Sequence, residues 1–157
     1  MLNRLLPRHV DNTYRGHKLA LWFLALLVVL KVIIGLNSIF NGRSVASSAD
    51  GIPLDTYTSA GAQTAVSLFA LLGLSQLLLG LLCLLVIVRY RGMIPFMFAL
   101  LLLENLSRKL TLQFLPIVRT GTPPGFYVNL LLIALMIVGL ALSLWSRGNP
   151  REQEQPT

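Results

Sequence analysis

The chain has 157 residues, 55% of them hydrophobic and 12% charged, and a mean hydropathy of +0.72. A soluble domain carries about 25% charged residues to cover its water-facing surface, so this composition excludes an ordinary soluble fold and points to a bilayer as solvent. The formal net charge of +7 does not signal nucleic acid. The basic residues sit at the ends of apolar runs, as at a membrane face, and there is no continuous basic surface with aromatic or helical readers.

In chain order, residues 1–18 form a basic segment with Arg4, Arg8, Arg15 and Lys18. Its charges serve to fix orientation, and Leu2, Leu5, Leu6 and Val10 between them would also let it lie on an anionic leaflet. The first apolar run covers 19–40, interrupted by Lys31 and Asn37. Val45-Ala46-Ser47-Ser48-Ala49 resembles a small-residue cleavage site, but the apolar core of a signal peptide spans only about 7–15 residues. This run is longer, so it is read as a retained helix. Residues 41–62 are polar and rich in Gly, Ser and Pro, which predicts an extramembrane loop. Such a loop is long for a connector between packed helices and is expected to fold over the mouth of the bundle.

A second run covers 63–88 and ends at Arg89-Tyr90-Arg91-Gly92, a turn short enough to make its flanking helices antiparallel neighbours. A third run, 95–115, is bracketed by Pro95 and Pro116. Proline is tolerated in a first helical turn and disfavoured further in, and about 20 residues suffice to cross the hydrocarbon core. Thr122-Pro123-Pro124-Gly125 reads as a stiff turn before the last run, 126–145. Residues 147–157 are polar, rich in Gln and Glu, and read as a disordered tail. The expected fold is therefore all-α: a polytopic membrane protein whose residues 19–146 make an antiparallel four-helix bundle.

With four spans, one side holds the N-terminal segment, the 89–92 turn and the tail. Eight Lys and Arg residues lie on that side, against Arg43 and Arg119 on the other. The positive-inside rule then places both termini in the cytoplasm, with a bacterial inner membrane as the expected location.

Ionisable residues inside spans are costly and are functional candidates by default. Here they are Lys31, Glu104, Arg108 and Lys109. Counting from the cytoplasmic ends at 1.5 Å per residue, Lys31, Gln76 and Glu104 all lie roughly 18–20 Å deep. Residues three and four apart share a helix face, which aligns Lys31 with Gly35 and Ser38, and Gly73 with Gln76, Gly80 and Cys83. The same rule aligns Glu104 with Arg108 and Thr111, and Asn129 with Met136, Gly139 and Ser143. Membrane helices pack through small and polar faces, so Gly35, Gly73, Gly80 and Gly139 are expected at helix contacts, with Lys31, Gln76 and Glu104 in a central layer.

Three readings of that layer stand side by side. In the first, Lys31 and Glu104 make one structural ion pair, Gln76 adds hydrogen bonds, and Arg108 and Lys109 extend to headgroups. In the second, one carboxylate leaves positive charge over, and Lys31, Gln76, Glu104 and Arg108 bind an anionic or quinone-like ligand, with Arg43 and Arg119 at the mouth. In the third, the helix breaks near Glu104-Asn105 and its second half lies along the interface.

Catalytic groupings are missing. His9 and His17 both precede the first run, so bis-His haem ligation is excluded, and neither a Cys-x-x-Cys, a phosphate-cradling glycine loop nor a Gly-x-Ser-x-Gly elbow occurs. Cys83 is read as a packing residue, and Asp50 and Asp55 as turn formers. No catalytic residue, metal or cofactor is expected.

The chain length resembles that of the small four-helix DoxX-like bacterial membrane proteins. So do the Gly73 to Gly80 stripe followed by a tight basic turn, the Glu104-Asn105-Leu106-Ser107-Arg108 stretch and the Gly/Pro turn before a last apolar helix. The resemblance covers most of residues 19–146 and implies a four-helix membrane bundle, with quinone-linked or redox partners for some members. It carries no residue-level role onto this sequence. The expected function is that of an accessory subunit or interaction partner, its partners being the lipid bilayer and a membrane protein or further copies of itself. The alternative is a binding or transport unit for a small anionic or quinone-like ligand.

Overall fold

A computed structural model describes residues 16–145. The tail at 147–157 and nearly all of the basic segment at 1–18, with Arg4, Arg8, His9 and Arg15, lie outside the described residues. Within them the chain is helical and without strands. Four long helices follow one another: α1 (Lys18–Phe40), α2 (Ser59–Arg89), α3 (Ile94–Phe114) and α4 (Pro124–Leu144).

Local chemistry sets these boundaries. Thr58 caps α2, its hydroxyl accepting from the Gly61 N–H at 3.2 Å, and the His17 Nδ1 accepts from the Leu19 N–H at 3.2 Å at the start of α1. Side-chain acceptors at this position satisfy donors that have no partner within the helix. Pro95 and Pro124 stand in the first turns of α3 and α4, where a missing N–H does no harm. α3 stops at Phe114 because Pro116 drives Leu115 out of the helical region.

α1, α2 and α4 are each long and apolar enough to cross a membrane. α3 has the length, but Glu104, Arg108 and Lys109 interrupt its apolar character. Large apolar side chains such as Trp22, Leu71, Leu78, Val88 and Leu131 point outward. That is the surface of a membrane-embedded protein.

α1 and α2 run antiparallel and pack most closely. Gly42 meets Val66, Gly35 meets Gly73 and Leu77, and Val32 meets Gly80. A Cβ on Gly73 would stand 2.7 Å from the Gly35 carbonyl oxygen, and one on Gly35 would stand 2.8 Å from that of Gly73. The two backbones are thus in contact, which only glycine on both sides permits. α3 and α4 are also antiparallel: Phe98 covers Gly139 so closely that no Cβ fits there, and Asn105 reaches Met136. The start of α1 meets the end of α4 through a His17 N–H to Leu142 carbonyl bond of 3.3 Å. Phe98, Met97, Leu101, Leu24, Leu27 and Met136 fill the centre. α2 and α3, although consecutive, pack far more loosely against each other than α1 does against α2.

Several expectations need correction. The segment 41–62 is not a plain loop: it holds helical turns at Gly42–Ser44, Val45–Ala49 and Leu54–Thr56, and α2 already begins at Ser59. Its Ala46, Ile52 and Leu54 form a small apolar cluster against Val66 and Phe69 of α2, which holds the segment down. Gly51 adopts a φ of +70°, a conformation that favours glycine, and its carbonyl accepts from the Thr120 N–H at 2.8 Å. Thr111 and Asn129 are exposed, so they drop out of the inward stripes, and on α4 Leu132 takes the place of Asn129. α3 is continuous through Glu104 and Asn105, against the reading in which it breaks there.

The two glycine contacts differ in a testable way. A Cβ at Gly73 meets backbone, whereas one at Gly80 first meets the Val32 Cγ2 at 3.1 Å, the movable end of a side chain. Gly73→Ala should therefore lower stability by about 1–3 kcal/mol and Gly80→Ala by distinctly less. Thermal midpoints in one detergent check this, and equal losses would show that α1 and α2 do not approach through Gly73.

Candidate functional site

Polar groups of α1, α2 and α3 meet at one level and close on each other. Lys31 of α1 is only 2% exposed. Its ammonium donates to the Glu104 Oε2 of α3 at 2.8 Å and to the Gln76 Oε1 of α2. Gln76 in turn donates from Nε2 to the Glu104 Oε1 at 2.8 Å. The amide's orientation follows, since its oxygen faces a donor and its nitrogen a carboxylate. Arg108, one helical turn after Glu104, pairs with Oε1, and the Asn105 Nδ2 donates to Oε2 at 3.2 Å. Four donors thus surround one carboxylate.

The glycines make this reach possible. Gly35 lies one turn from Lys31, and Gly80 packs against Lys31 and Val32. The near contact of α1 and α2 brings the ammonium to Gln76 without crossing open space.

Lys31, Gln76, Glu104 and Arg108 are therefore all at one place. Arg108 is held by Glu104 and does not extend away to the surface as the first reading has it; its place beside Glu104 is the one the second reading gives it. It is still 32% exposed, and Glu104 23%, so the clasp is sealed at Lys31 and open at Arg108. Lys109 is exposed. It lines a shallow depression on α3 with Leu103, Leu106, Ser107, Leu110 and Gln113, off the clasp. Asn105 belongs to the clasp although its sequence gives little sign of it. It is 4% exposed and also donates to the Leu101 carbonyl at 3.0 Å. Its place next to Glu104, rather than three or four residues away, kept it off the expected stripe.

The outlying cations separate. Arg43 is exposed and faces Asp55, also exposed, at 4.0 Å. Arg119 lies beside the buried turn around Asp50. Burial pushes the Asp50 carboxyl above its usual range, while Arg119 and Arg108 pull it back down. Arg43 and Arg119 thus each have an acidic neighbour.

Comparison of the chain with protein-family models, with curated proteins and with solved structures yields no match. The site has to be read from its own chemistry. Among the described residues no group of three or more His, Cys, Asp and Glu side chains is placed to hold a metal ion. Cys83 is buried on the α2 stripe as a free thiol. The carboxylate is a hydrogen-bonded acceptor on every side, a state suited to holding helices together.

Removing one member of such a pair leaves the other charge buried and alone, which costs about 3–5 kcal/mol. Glu104→Gln should be strongly destabilising, and adding Lys31→Met should restore part of the loss because Arg108 can turn to the exposed side. Denaturation in detergent decides the matter: a double variant no more stable than Glu104→Gln alone would mean that Lys31 and Glu104 are not energetic partners.

Proposed function

We propose that this chain is a four-span bundle of a bacterial inner membrane, with both termini in the cytoplasm, acting without catalysis as an accessory subunit or interaction partner. The observation that carries this reading is the saturated carboxylate of Glu104. Its partners all come from the chain itself, so the most polar place among the helices is committed to holding them together. What remains for function is the outer surface, which is apolar along α1, α2 and α4. In a bilayer such a surface meets lipid or another membrane protein.

The charge on α3 does not oppose a fourth span. Glu104 is neutralised inside by Lys31 and Arg108, and Lys109 lies near enough to the helix end to extend its side chain to headgroups. The DoxX-like resemblance enters this proposal only through helix order and the placement of the tight turn.

A second reading is favoured by one specific feature. The clasp carries Lys31 and Arg108 against one carboxylate, and its Arg108 side is partly exposed. The surplus positive charge would suit a small anionic or quinone-like ligand.

Orientation can be tested in a Cys83→Ser background. Ser48→Cys should react with a membrane-impermeant maleimide in intact spheroplasts, and Gln153→Cys only after lysis. Reaction of both in intact spheroplasts, or the opposite pattern, would refute the topology.

The accessory reading is tested by extraction from the native membrane in mild detergent, followed by native mass spectrometry. A distinct polypeptide at fixed stoichiometry is expected, recovered again when the partner carries the tag. A lone chain or homo-oligomer with a bound anion or quinone would favour the second reading instead.

A further inference from the structure

α3 is covered along its first half and bare along its second. Ile94, Pro95, Met97, Phe98, Leu101 and Asn105 are buried, and no later residue of the helix is. Glu104, Ser107, Arg108 and Thr111 stand at i, i+3, i+4 and i+7 and so share one face. Gln76 of α2 and Arg108 both donate to the Glu104 Oε1, which turns this face toward the loosely packed seam between α2 and α3. Ser107 and Thr111 are exposed on it. The Thr111 hydroxyl donates to the Ser107 carbonyl at 2.9 Å and needs no further acceptor. Small side chains of this kind let membrane helices approach closely.

Charge gives the seam its specificity. Lys31 and Arg108 both pair with the one carboxylate of Glu104, which leaves one positive charge over. Both oxygens of Glu104 are taken, Oε1 by Gln76 and Arg108 and Oε2 by Lys31 and Asn105. A guanidinium carries five donors, and among the described residues Arg108 makes one hydrogen bond, to Glu104. Its other donors are partly exposed at the seam, at a depth where a charge without an acceptor is costly.

A lipid headgroup fits this place poorly. Glu104 lies one turn farther than Arg108 from the Phe114 end, so it draws the guanidinium about 6 Å inward, away from the phosphates. A second copy fits no better. In a symmetric pair the same patch meets itself, which sets Arg108 against Arg108. Asp50, Asp55 and Glu104 are the acids among the described residues, and only Glu104, already occupied, lies in a long helix.

We propose that the α2–α3 seam at Ser107, Arg108 and Thr111 is the docking surface for a transmembrane helix of a different protein, one that carries an Asp or Glu at the depth of Arg108. A carboxylate there meets the guanidinium fork in plane and cancels the surplus charge. The proposal rests on the accessory reading and names the chemistry of its partner.

The test uses the full chain in its native membrane, with a photocrosslinking amino acid in place of the exposed Leu103, and in a second preparation in place of the exposed Leu131 of α4. Position 103 should yield one adduct with a polypeptide whose membrane helix contains an acid, and position 131 should not. Arg108→Gln should lower that adduct about tenfold, the loss of one charge-assisted contact, and Lys109→Gln should leave it unchanged. Arg108→Gln keeps the Lys31–Glu104 pair, so its thermal midpoint should stay near that of the parent chain. Ser107→Phe, a change at an exposed position, should block docking by bulk if Arg108→Gln proves unstable. Reversing both charges, Arg108→Glu here and the partner's acid to Arg, should recover the adduct. An adduct with a second copy or with lipid alone, a partner helix without an acid, or equal yields from the parent chain and Arg108→Gln would overturn the proposal. A partner that co-purifies at fixed stoichiometry but crosslinks only from position 131 removes this site and leaves the accessory reading standing. If no polypeptide co-purifies at all, both fall.

Discussion

The ammonium of Lys31 and the carboxylate of Glu104 meet inside a layer of apolar helices, and much of the packing follows from the need to answer those two charges. An ion removed from water loses its hydration, and its partner's attraction offsets that loss only when the remaining donors and acceptors are also satisfied. Here they are. Gln76 accepts from the lysine and donates to the carboxylate, and Asn105 supplies the second donor to Oε2. This requires α1, α2 and α3 to hold fixed heights relative to one another. A slide of one residue along α2 would carry Gln76 1.5 Å along its axis and rotate it through about 100°, out of reach of both partners. Among leucine-covered helices, which attract one another no more than they attract lipid, such a clasp is what fixes register.

The glycines and the clasp depend on each other. Gly35 and Gly73 let two backbones touch, and that approach brings Gln76 to Lys31. Conversely, apolar helices have little reason to choose Gly35 against Gly73 over a neighbouring register unless a polar group nearby makes the choice. Phe98 over Gly139 does the same for α3 and α4 by shape rather than charge. The two helix pairs are then joined across α1 and α4, while the seam between α2 and α3 stays loose. Glu104 and Arg108 are only part-buried, whereas Lys31 is sealed.

Much of this was legible in the sequence for a simple reason. Helices that start from the same level put residues of equal rank at equal height, so counting places Lys31, Gln76 and Glu104 together, and spacing by three and four finds Gly35, Gly73, Gly80 and Gly139. The same rule failed where a second stripe intervenes. Asn105 follows Glu104 directly, yet α3 turns it toward α4 and Met136, because α3 meets two neighbours with two faces. Thr111 and Asn129 lie on the right stripes but are exposed. Composition alone hid the helical turns of 41–62, since Gly, Ser and Pro read as loop, and only the contact of Ala46, Ile52 and Leu54 with α2 explains their order. The partner of Arg108 was spaced correctly for a salt bridge at i and i+4, but that spacing cannot tell a side chain held by Glu104 from one extended to the surface.

The two ends of the molecule are built differently, and the difference bears on where function resides. At the end near His17 and Trp145, the described chain offers one backbone bond between α1 and α4 and the tight Arg89–Gly92 turn. The other end is constructed: two connecting segments are tied through Gly51 and Thr120, and the Asp50 carboxylate lies against the start of α4. Loops that serve only to connect need none of this, because water would satisfy their polar groups. The clasp leaves α3 with its charged half toward that same end, so the positive charge not neutralised among the helices is delivered there. Register in the interior and charge toward one end are thereby two consequences of one helix, α3, whose first half is apolar enough to pack and whose second half carries the charge.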